Sequence, residues 1–257
     1  MISSTSNQKV KELLKLQKKA KARNLKGVFL AEGSRMVKEA PRDRIEELYV
    51  SETYFGKYKN QLAQEQFQPE MLTDTVFAYV SDTRTPQGIL AVVRQAEYTL
   101  SDMLDVPAPH ILVLDNLQDP GNLGTIFRTA EAAGATGILM GQDCVDIYNP
   151  KTIRSTMGAI YRMPFLYMDD LKEGIAALKE RGVHVYAAHL DGRNVYDKED
   201  FLRGTAFLIG NEGNGLHKEI AACADTWVQI PMAGQAESLN AAVAAAVLMF
   251  EASRQRR

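Results

Sequence analysis

Apolar residues in the second half of the chain follow two different spacings. Short continuous apolar runs, typical of strands buried on both faces of a sheet, occur at 111–114, 137–140, 183–188, 206–209 and 227–230. Between these runs, apolar positions recur with helical spacing at about 122–133, 171–181 and 238–254. Strands that alternate with helices predict an α/β fold whose mostly parallel sheet is covered by helices on both faces.

The first half of the chain predicts a smaller α/β domain. A basic amphipathic helix is predicted over residues 7–24, with one face formed by Val10, Leu13, Leu14 and Gln17. The other predicted elements are strands at 27–31, 45–50 and 88–94 and helices that end near residue 41 and span 54–66 and 73–80. The segment 105–110 carries two prolines and is the predicted linker. We therefore predict one domain of residues 1–106 and a second of residues 107–257.

Charge changes this picture because it is unevenly distributed. The net charge is only −2, but the segment from Met1 to Lys26 contains eight Lys or Arg residues and a single acid, Glu12. A solvated lysine-rich face is one interpretation, and contact with a nucleic-acid backbone is the other, which we favour. The residues predicted to contact RNA are Lys9, Lys15, Lys18, Lys19 and Arg35.

The cysteines and the apolar runs bear on the compartment. Cys144 and Cys223 lie far apart, which predicts no disulfide framework and suits a reducing compartment. The first residues lack the uninterrupted apolar core of a signal peptide. The longest apolar run, at 241–250, is shorter than the roughly 20 residues that span a bilayer. We expect a soluble cytoplasmic protein without membrane contact.

Three loops rich in Gly, Pro, Ser or Asn follow predicted strands. Their sequences are DNLQDPGNLGTIFR, LIGNEGNGL and IPMAGQAESLN. Each alone has a structural explanation: a helix start with a proline and a cap, a glycine turn, and an N-cap at Ser238. Because ligands bind beyond the carboxyl ends of parallel strands, the three loops together predict a ligand site.

Several familiar kinds of site are missing from the sequence. Neither a G-x-G-x-x-G dinucleotide motif nor a P-loop is present, and no G-x-S-x-G nucleophile elbow occurs. The four histidines and two cysteines lack the spacing of a zinc site, so we expect no metal. Glycines, an arginine, a glutamate, a serine and asparagines remain. This set suits a reaction in which a cofactor carries the reactivity and the protein positions the partners, such as methyl transfer from S-adenosylmethionine.

The three loops also resemble a known family. NLQDPGNLGTIFRTAEAAG, LIGNEGNGL and IPMAGQAESLNAAVAAAV are similar, in this order, to the three signature motifs of the SpoU/TrmH family of RNA ribose 2′-O-methyltransferases, within the SPOUT superfamily. The segment IRSTMGAIYRMP is similar to a further stretch of that family, and the opening residues resemble, more loosely, its ribosomal-protein-like RNA-binding domain. The resemblance implies a deep trefoil knot near the C-terminus, a homodimer, and structured RNA as the substrate, with ribosomal RNA ahead of transfer RNA.

The same resemblance implies individual site residues. The catalytic positions are Asn122, Arg128, Glu212, Ser238 and Asn240. The positions in contact with S-adenosylmethionine, mostly through backbone, are Gly210, Ile230, Met232 and Leu239. Asn211 departs from the expected motif, and we expect it to be neutral.

Physical arguments assign roles to some of these residues. A guanidinium stays protonated in proteins, so we expect Arg128 to anchor a substrate phosphate and stabilise negative charge on the 2′-oxygen rather than act as a base. We expect Gly124, one turn earlier, to leave the helix surface bare beside Arg128. Asn122 is expected to cap its helix and to orient Arg128 or the ribose. Glu212 is expected to hold an arginine by a bidentate pair.

Two other function classes stay open. One is a non-catalytic RNA-binding protein that retains the methyltransferase fold, and the intact catalytic positions argue against it. The other is a nucleotide-dependent enzyme of the doubly wound type, which the absent phosphate-binding motif argues against. Calorimetry of S-adenosylmethionine binding separates the three classes.

Overall fold

The computed structural model describes residues 1–64 and 68–257. The helices in this part of the chain are α1 (Gln8–Lys18), α2 (Ala20–Lys26), α3 (Ser34–Glu39), α4 (Glu52–Gln64), α5 (Asp74–Val80), α6 (Leu100–Leu104), α7 (Pro120–Ala133), α8 (Pro150–Thr156), α9 (Leu171–Glu180), α10 (Lys218–Ala221) and α11 (Ala241–Gln255). The strands are β1 (Val28–Glu32), β2 (Ile45–Ser51), β3 (Glu70–Leu72), β4 (Ile89–Arg94), β5 (His110–Leu114), β6 (Gly137–Gly141), β7 (Phe165–Met168), β8 (His184–Ala188), β9 (Asn194–Val195), β10 (Thr205–Ile209) and β11 (Thr226–Gln229). Short 3₁₀ turns occur at Arg42–Arg44, Ala159–Tyr161 and Tyr196–Lys198.

The chain forms two compact units. The first contains Met1–Ala96 together with Asp146–Tyr161, and the second contains Glu97–Val145 together with Arg162–Arg257. The first unit is therefore built from two separate stretches of the chain. A domain boundary between residues 106 and 107 stays a prediction.

The first unit is built on a mixed four-stranded sheet. Its strand order is β1-β4-β2-β3, with β4 antiparallel to β1 and β2 and with β3 parallel to β2. One face of the sheet packs against the apolar stripe of α1, formed by Val10, Leu13 and Leu16, which are at most 4% exposed. Burial of this stripe explains why a helix with so many lysines is ordered at all, since packing rather than propensity stabilises most short helices.

The predicted single helix over residues 7–24 is wrong in two respects. Lys19 has extended backbone angles (φ −125°, ψ 111°) and separates α1 from α2. The buried position of the stripe is Leu16, whereas Leu14 is only partly buried. The break turns Arg23 inward, where it is 3% exposed, donates to the Leu16 carbonyl at 2.6 Å and pairs with Asp146. One of the eight basic residues is therefore not available to RNA.

The second stretch of the first unit packs through aromatic side chains. Phe29 and Tyr148 stack with their ring centroids 4.9 Å apart. The Tyr161 hydroxyl donates to the Met36 carbonyl at 2.9 Å and is buried. Because aromatic pairs bury large areas, these contacts bind residues 146–161 firmly to β1 and α3.

The second unit contains a seven-stranded sheet. Its strand order is β7-β6-β5-β10-β8-β11-β9, and every pair of neighbours is parallel. The predicted α/β class and parallel sheet are confirmed. The strands β7 and β9 were not predicted, because β9 is only two residues long and β7 carries the mixed pattern FLYM.

Helices cover both faces of this sheet. On one face, α6, α9 and α10 bury Met103, Ile175 and Ile220 against alternate strand residues. On the other face, α11 packs against α7 and β10. The predicted apolar stripe of α7 is buried, since the exposed fractions of Leu123, Ile126, Phe127, Ala130 and Ala133 are at most 5%. Because helices cover both faces of the sheet, a ligand site is expected at the ends of the strands.

Some element boundaries differ from the predicted ones. The helix predicted over 54–66 begins at Glu52, and its predicted last two residues lie outside the described residues. The helix predicted from residue 238 begins at Ala241.

Two further properties concern the whole described chain. Cys144 is buried and Cys223 is partly buried, and both are free thiols. Among the helices described, none is both long enough and apolar enough to cross a membrane.

Candidate active site

The three glycine- and asparagine-rich loops leave the parallel sheet at one edge. They follow the carboxyl ends of β5, β10 and β11. Since β5 and β10 pair directly in register, with Leu114 opposite Ile209, the first two loops begin side by side. The sheet therefore brings together chain segments that are about a hundred residues apart.

Glu212 joins the first two loops. Its carboxylate accepts hydrogen bonds from the backbone N–H groups of Asp119 at 3.0 Å and Gln118 at 3.2 Å. It also accepts the Asn122 side-chain amide at 3.0 Å. Partial removal from water acts to raise the pKa of Glu212, but these hydrogen bonds outweigh it and lower the pKa below its ordinary value of 4.5. Glu212 is therefore an ionised carboxylate that fixes the loop before α7 through hydrogen bonds.

Asn122 extends this network to the third loop. Its side-chain NH₂ donates to Glu212, so its carbonyl oxygen is left to accept, and it accepts from the Asn240 amide at 3.0 Å. The Asn240 carbonyl oxygen in turn accepts from the backbone N–H groups of Ala242 and Val243 at the start of α11. The hydrogen bonds from Asn240 to Asn122 and from Asn122 to Glu212 thus connect all three loops.

Three predicted roles need correction. Asp119, not Asn122, caps α7, and its side chain accepts from the Asn122 backbone at 2.8 Å. Asn240, not Ser238, caps α11, and Ser238 is exposed two residues earlier. Among the residues that the structure describes, Glu212 pairs with amide groups rather than with an arginine. Ser, Asp and Asn cap helices about equally well, so the sequence does not distinguish neighbouring candidates.

Arg128 lies on α7 beside the buried stripe and is exposed. Within residues 1–64 and 68–257 its guanidinium makes no hydrogen bond or ion pair. Gly124 is buried, so the expected bare surface beside Arg128 is wrong. The guanidinium is therefore available to bind an external anion. The helix that carries it is anchored by its buried apolar stripe.

Asn211, expected to be neutral, organises the second loop. Its backbone exchanges two hydrogen bonds with Gly215, at 2.9 and 3.0 Å. Its side chain accepts from the backbone of Gly213 and Asn214 and donates to the Asn116 carbonyl at 2.8 Å. This tight turn is what presents Glu212 to the first loop.

Asp115 is a site residue that sequence reasoning missed. It follows β5 directly and is 3% exposed, and its carboxylate accepts the backbone N–H of His217 at 2.7 Å and its imidazole Nδ1 at 2.9 Å. The bonds hold the end of the second loop to the first. The available signal is an acid directly after a continuous apolar run, because a buried carboxylate needs donors.

Asp143 lies near this pair. Asp115, Asp143 and His217 each place one possible ligand atom within 4.8 Å of the others. Asp143 and His217 are exposed, and the Asp115–His217 hydrogen bond accounts for the arrangement without a metal ion. We assign no metal to this group.

The pair predicts a pH dependence. The hydrogen bond to Asp115 and its negative charge raise the pKa of His217 above 6.5, with smaller contributions from Asp143 and Glu219. Because the folded-state pKa is raised, the stabilisation is complete below pH 6.5 and is lost as the pH rises through the raised pKa. His217 is half exposed, so solvent screening keeps this contribution under about 1 kcal/mol.

We expect NMR titration to place the His217 pKa above 6.5 and the Asp115→Asn variant to lower it. A pKa at or below 6.5 in the unmodified protein would contradict the assignment.

The third loop has the character expected of a cofactor site. From Ile230 to Leu239 the chain makes no hydrogen bond with other described residues, so its backbone donors and acceptors are open to a ligand. The four predicted cofactor residues are all partly buried at this edge: Gly210, Ile230, Met232 and Leu239. Partly buried apolar side chains beside unused backbone groups fit a ligand with a purine and a sugar.

The predicted RNA-contacting residues lie in the first unit and fall into two groups. Lys15, Lys18 and Lys19 are exposed and form no ion pair with any residue that the structure describes. Lys9 pairs with Glu70 at 2.7 Å, and Arg35 pairs with Glu39 at 2.9 Å. The first group is therefore more available to a phosphate than the second.

Comparison with known proteins identifies the family to which the chain belongs. The sequence profile of the SpoU rRNA methylase family matches residues 109–250, which is more than half of the chain. The chain belongs to the SpoU rRNA methylase family. The profile of an MRM3-like substrate-binding domain matches residues 7–91. Members of the SpoU family are methyltransferases that use S-adenosylmethionine, so the predicted family, enzyme class and cofactor are confirmed.

Relatives of this SpoU protein include enzymes with named targets. It is 37% identical to the 23S rRNA (guanosine(2553)-2′-O)-methyltransferase RlmP of Bacillus subtilis, over 97% of both chains. It is 34% identical to the 23S rRNA (uridine(2479)-2′-O)-methyltransferase of Streptomyces viridochromogenes, over 72% of this chain and 67% of the other.

Solved structures agree with the fold. An AdoMet-bound rRNA methyltransferase from Sinorhizobium meliloti superposes with a TM-score of 0.86 at 32% identity, over 98% of this chain and 97% of the other. The SpoU methyltransferase AviRb from Streptomyces viridochromogenes, in complex with AdoMet, superposes with a TM-score of 0.87 at 27% identity, over 97% and 98%. The parallel-sheet unit is therefore a SPOUT methyltransferase fold.

Proposed function

We propose that this protein transfers the methyl group of S-adenosylmethionine to a ribose 2′-hydroxyl of 23S ribosomal RNA. The observation that carries the proposal is the Glu212–Asn122–Asn240 network, which joins three loops of a SpoU methyltransferase fold. The helix that carries Asn122 also carries Arg128, an exposed cation with no ion pair among the described residues. Similarity to the RlmP of Bacillus subtilis along nearly the whole chain supports ribosomal RNA over transfer RNA.

The cofactor, when bound, supplies a methyl group already activated on a sulfonium sulfur. Gly210, which follows β10, would hold it together with Ile230, Met232 and Leu239 of the loop after β11. The protein then has to place the 2′-oxygen in line and stabilise the negative charge that the oxygen gains as its proton leaves.

The residues divide this work. Arg128 binds a phosphate of the RNA and faces the developing charge, because a guanidinium offers several donors in a fixed plane. Glu212, Asn122 and Asn240 are positioning residues, since they hydrogen-bond to one another and to backbone N–H groups. The Ser238 hydroxyl is exposed and is free to contact the ribose.

The proposal includes a homodimer. Val243 and Phe250 on α11 are 48% and 43% exposed, and the partly buried Val247 lies between them on the same helix face. Apolar side chains at i, i+4 and i+7 form a stripe that a second copy of the chain would cover. The proposal also includes a trefoil knot in the second unit and a cytoplasmic location, where ribosomes assemble.

Methyl incorporation tests the proposed function. Purified protein is mixed with labelled S-adenosylmethionine and with 23S rRNA from cells that lack the gene, and the nucleosides are separated by mass. We expect a single 2′-O-methylated nucleoside. Absence of incorporation, or a methyl group on a base, would overturn the proposal.

The exposed lysines predict a salt-dependent affinity. Replacing Lys15, Lys18 and Lys19 with glutamine is expected to weaken binding to every RNA and to reduce the slope of log affinity against log salt by about 0.7–0.9 per lost phosphate contact. Single replacements of Lys9 or Arg35 should have smaller effects, because each is already paired. Fluorescence anisotropy at several salt concentrations measures the slope.

A matched control is available for this series. Lys198 is 77% exposed at its side chain and lies in the second unit, beside Asp197. The Lys198→Gln variant removes one lysine charge by the same substitution and should keep the slope of the unmodified protein. An unchanged slope in the triple variant would mean that α1 and the start of α2 do not contact RNA.

A further inference from the structure

A cleft in the first unit, apart from the lysines of α1, is lined by aromatic and polar side chains. Its volume is about 590 Å³, within the range of pockets that hold small ligands. Tyr54, Lys57 and Tyr58 of α4 line it together with Ser34 and Gln87. The Ser34 hydroxyl donates to the Tyr54 hydroxyl at 3.4 Å. None of these side chains is used in the network that connects the three loops.

The two tyrosines have the geometry of a stacking surface. Their ring centroids are 4.6 Å apart and their planes are inclined by 41°, so the two rings contact each other without lying parallel. Both side chains are only partly buried. The helix departs from helical angles at Tyr58 (φ −119°, ψ 16°), which places this ring at a kink beside the cleft. Partly exposed aromatic rings bind nucleobases without regard to sequence.

Charge and hydrogen-bonding groups complement the rings. The Lys57 ammonium lies 5.2 Å from the centre of the Tyr58 ring and forms no ion pair with another described residue. The Gln87 carbonyl oxygen accepts from the Ser34 backbone at 2.7 Å, which leaves its NH₂ group pointing away as a donor. A base would therefore meet aromatic faces and an amide, with a cation beside its phosphate.

The acidic residue of the cleft, Asp74, is held by its neighbour Thr53. Asp74 accepts from the Thr53 hydroxyl at 2.6 Å and from the Thr53 backbone at 3.1 Å. Both of its oxygens are thus engaged by one neighbour. Gly88 closes the floor: its φ is +86°, and a Cβ there would lie 2.7 Å from the Ser51 hydroxyl and 2.9 Å from the Tyr54 Cβ.

We propose that this cleft binds one unstacked base of the RNA substrate. The base stacks on the rings of Tyr54 and Tyr58 and accepts a hydrogen bond from the side-chain amide of Gln87. The inference rests on the proposed function for the identity of the ligand as RNA. A duplex cannot offer a base face to these rings, so the occupant is a base from a loop, a bulge or a single strand. The cleft then selects RNA that displays an unpaired base.

The test uses the full chain and a short single-stranded RNA that carries one 2-aminopurine, whose fluorescence is quenched when it stacks. We expect the unmodified protein to quench it on binding. The Tyr54→Ala and Tyr58→Ala variants should each lose affinity by about 10- to 100-fold, the usual effect of removing one stacking partner. The Tyr54→Phe and Tyr58→Phe variants keep the ring and should bind within about twofold of the unmodified protein, which separates stacking from misfolding.

Tyr79 provides the matched control. It is 55% exposed, lies in the same unit on α5 and does not line the cleft. The Tyr79→Ala variant should bind and quench as the unmodified protein does. Unchanged affinity and quenching in the Tyr54→Ala/Tyr58→Ala double variant would overturn the proposal, as would equally tight binding of free 2-aminopurine riboside, which would indicate a nucleoside site.

Methylation of 23S rRNA is measured in parallel, so the two proposals fail separately. Protein that methylates rRNA, but whose alanine variants quench normally, would retain the proposed function and lose the base-binding cleft. Protein that quenches the probe through its tyrosines, but methylates nothing, would retain the cleft and lose the proposed function.

Discussion

Replacement of Arg128 by alanine should reduce methyl transfer to RNA at least about 100-fold, the usual effect of removing one donor that stabilises a developing oxyanion. The affinity for S-adenosylmethionine should stay within about twofold. The guanidinium is exposed and has no partner in the described parts of the chain, so its removal leaves no buried group unsatisfied. Calorimetry measures the affinity, and incorporation of labelled methyl groups measures the rate.

Two further variants sharpen this prediction. Arg128→Lys keeps the charge but loses the planar set of donors, and we expect an intermediate rate. Arg181 is similarly exposed, pairs with Asp105 at 2.9 Å and lies in the same unit, so Arg181→Ala should methylate at the normal rate. Full activity in Arg128→Ala would remove this residue from the mechanism.

Replacement of Gly210 by alanine should impair both folding and cofactor binding. An added Cβ would lie 2.2 Å from the carbonyl carbon of Gly215 and 2.2 Å from the backbone nitrogen of Leu216. These are backbone atoms, which cannot move away by a rotamer change as a side chain can. The turn from Asn211 to Gly215 must therefore open to accept the methyl group. We expect a loss of about 1–3 kcal/mol in unfolding free energy, as for other overpacked sites, and at least about a tenfold loss in S-adenosylmethionine affinity.

Thermal unfolding and calorimetry measure these two effects. For a chain of this size, each 1 kcal/mol corresponds to a shift in Tm of about 2–4 °C. Gly213 is a control in the same turn, since a Cβ there meets only the Asn211 side-chain oxygen at 3.6 Å. Gly213→Ala should therefore keep the Tm. A normal Tm and normal affinity in Gly210→Ala would show that the turn tolerates the added methyl group.

The elements that the sequence predicts well are those with one dominant local signal. The strand at Ile111–Leu114 is a continuous apolar run, and α7 combines a proline at its first turn, an acidic cap and a closing glycine. The break at Lys19 has no such signal, because neither glycine nor proline marks it. It arises from tertiary packing, since the turn is what brings Arg23 to Asp146.

The candidate site divides in the same way. Family motifs point to Asn122, Glu212 and Asn240 individually, but their hydrogen-bond order depends on which strands are neighbours in the sheet. The pair of Asp115 and His217 joins residues 102 positions apart, and no local pattern encodes such a contact. Whether Arg128 and Ser238 act on the substrate stays a prediction, because neither contacts the network within the described residues.

The inclusion of Asp146–Tyr161 in the first unit has a consequence for domain exchange. Removal of the first hundred residues would leave Tyr148 without the ring of Phe29 and Tyr161 without its carbonyl acceptor. A gene fusion that exchanged only the N-terminal segment would therefore deliver an incomplete hydrophobic core. An exchange of the N-terminal segment therefore has to preserve its contacts with residues 146–161 as well.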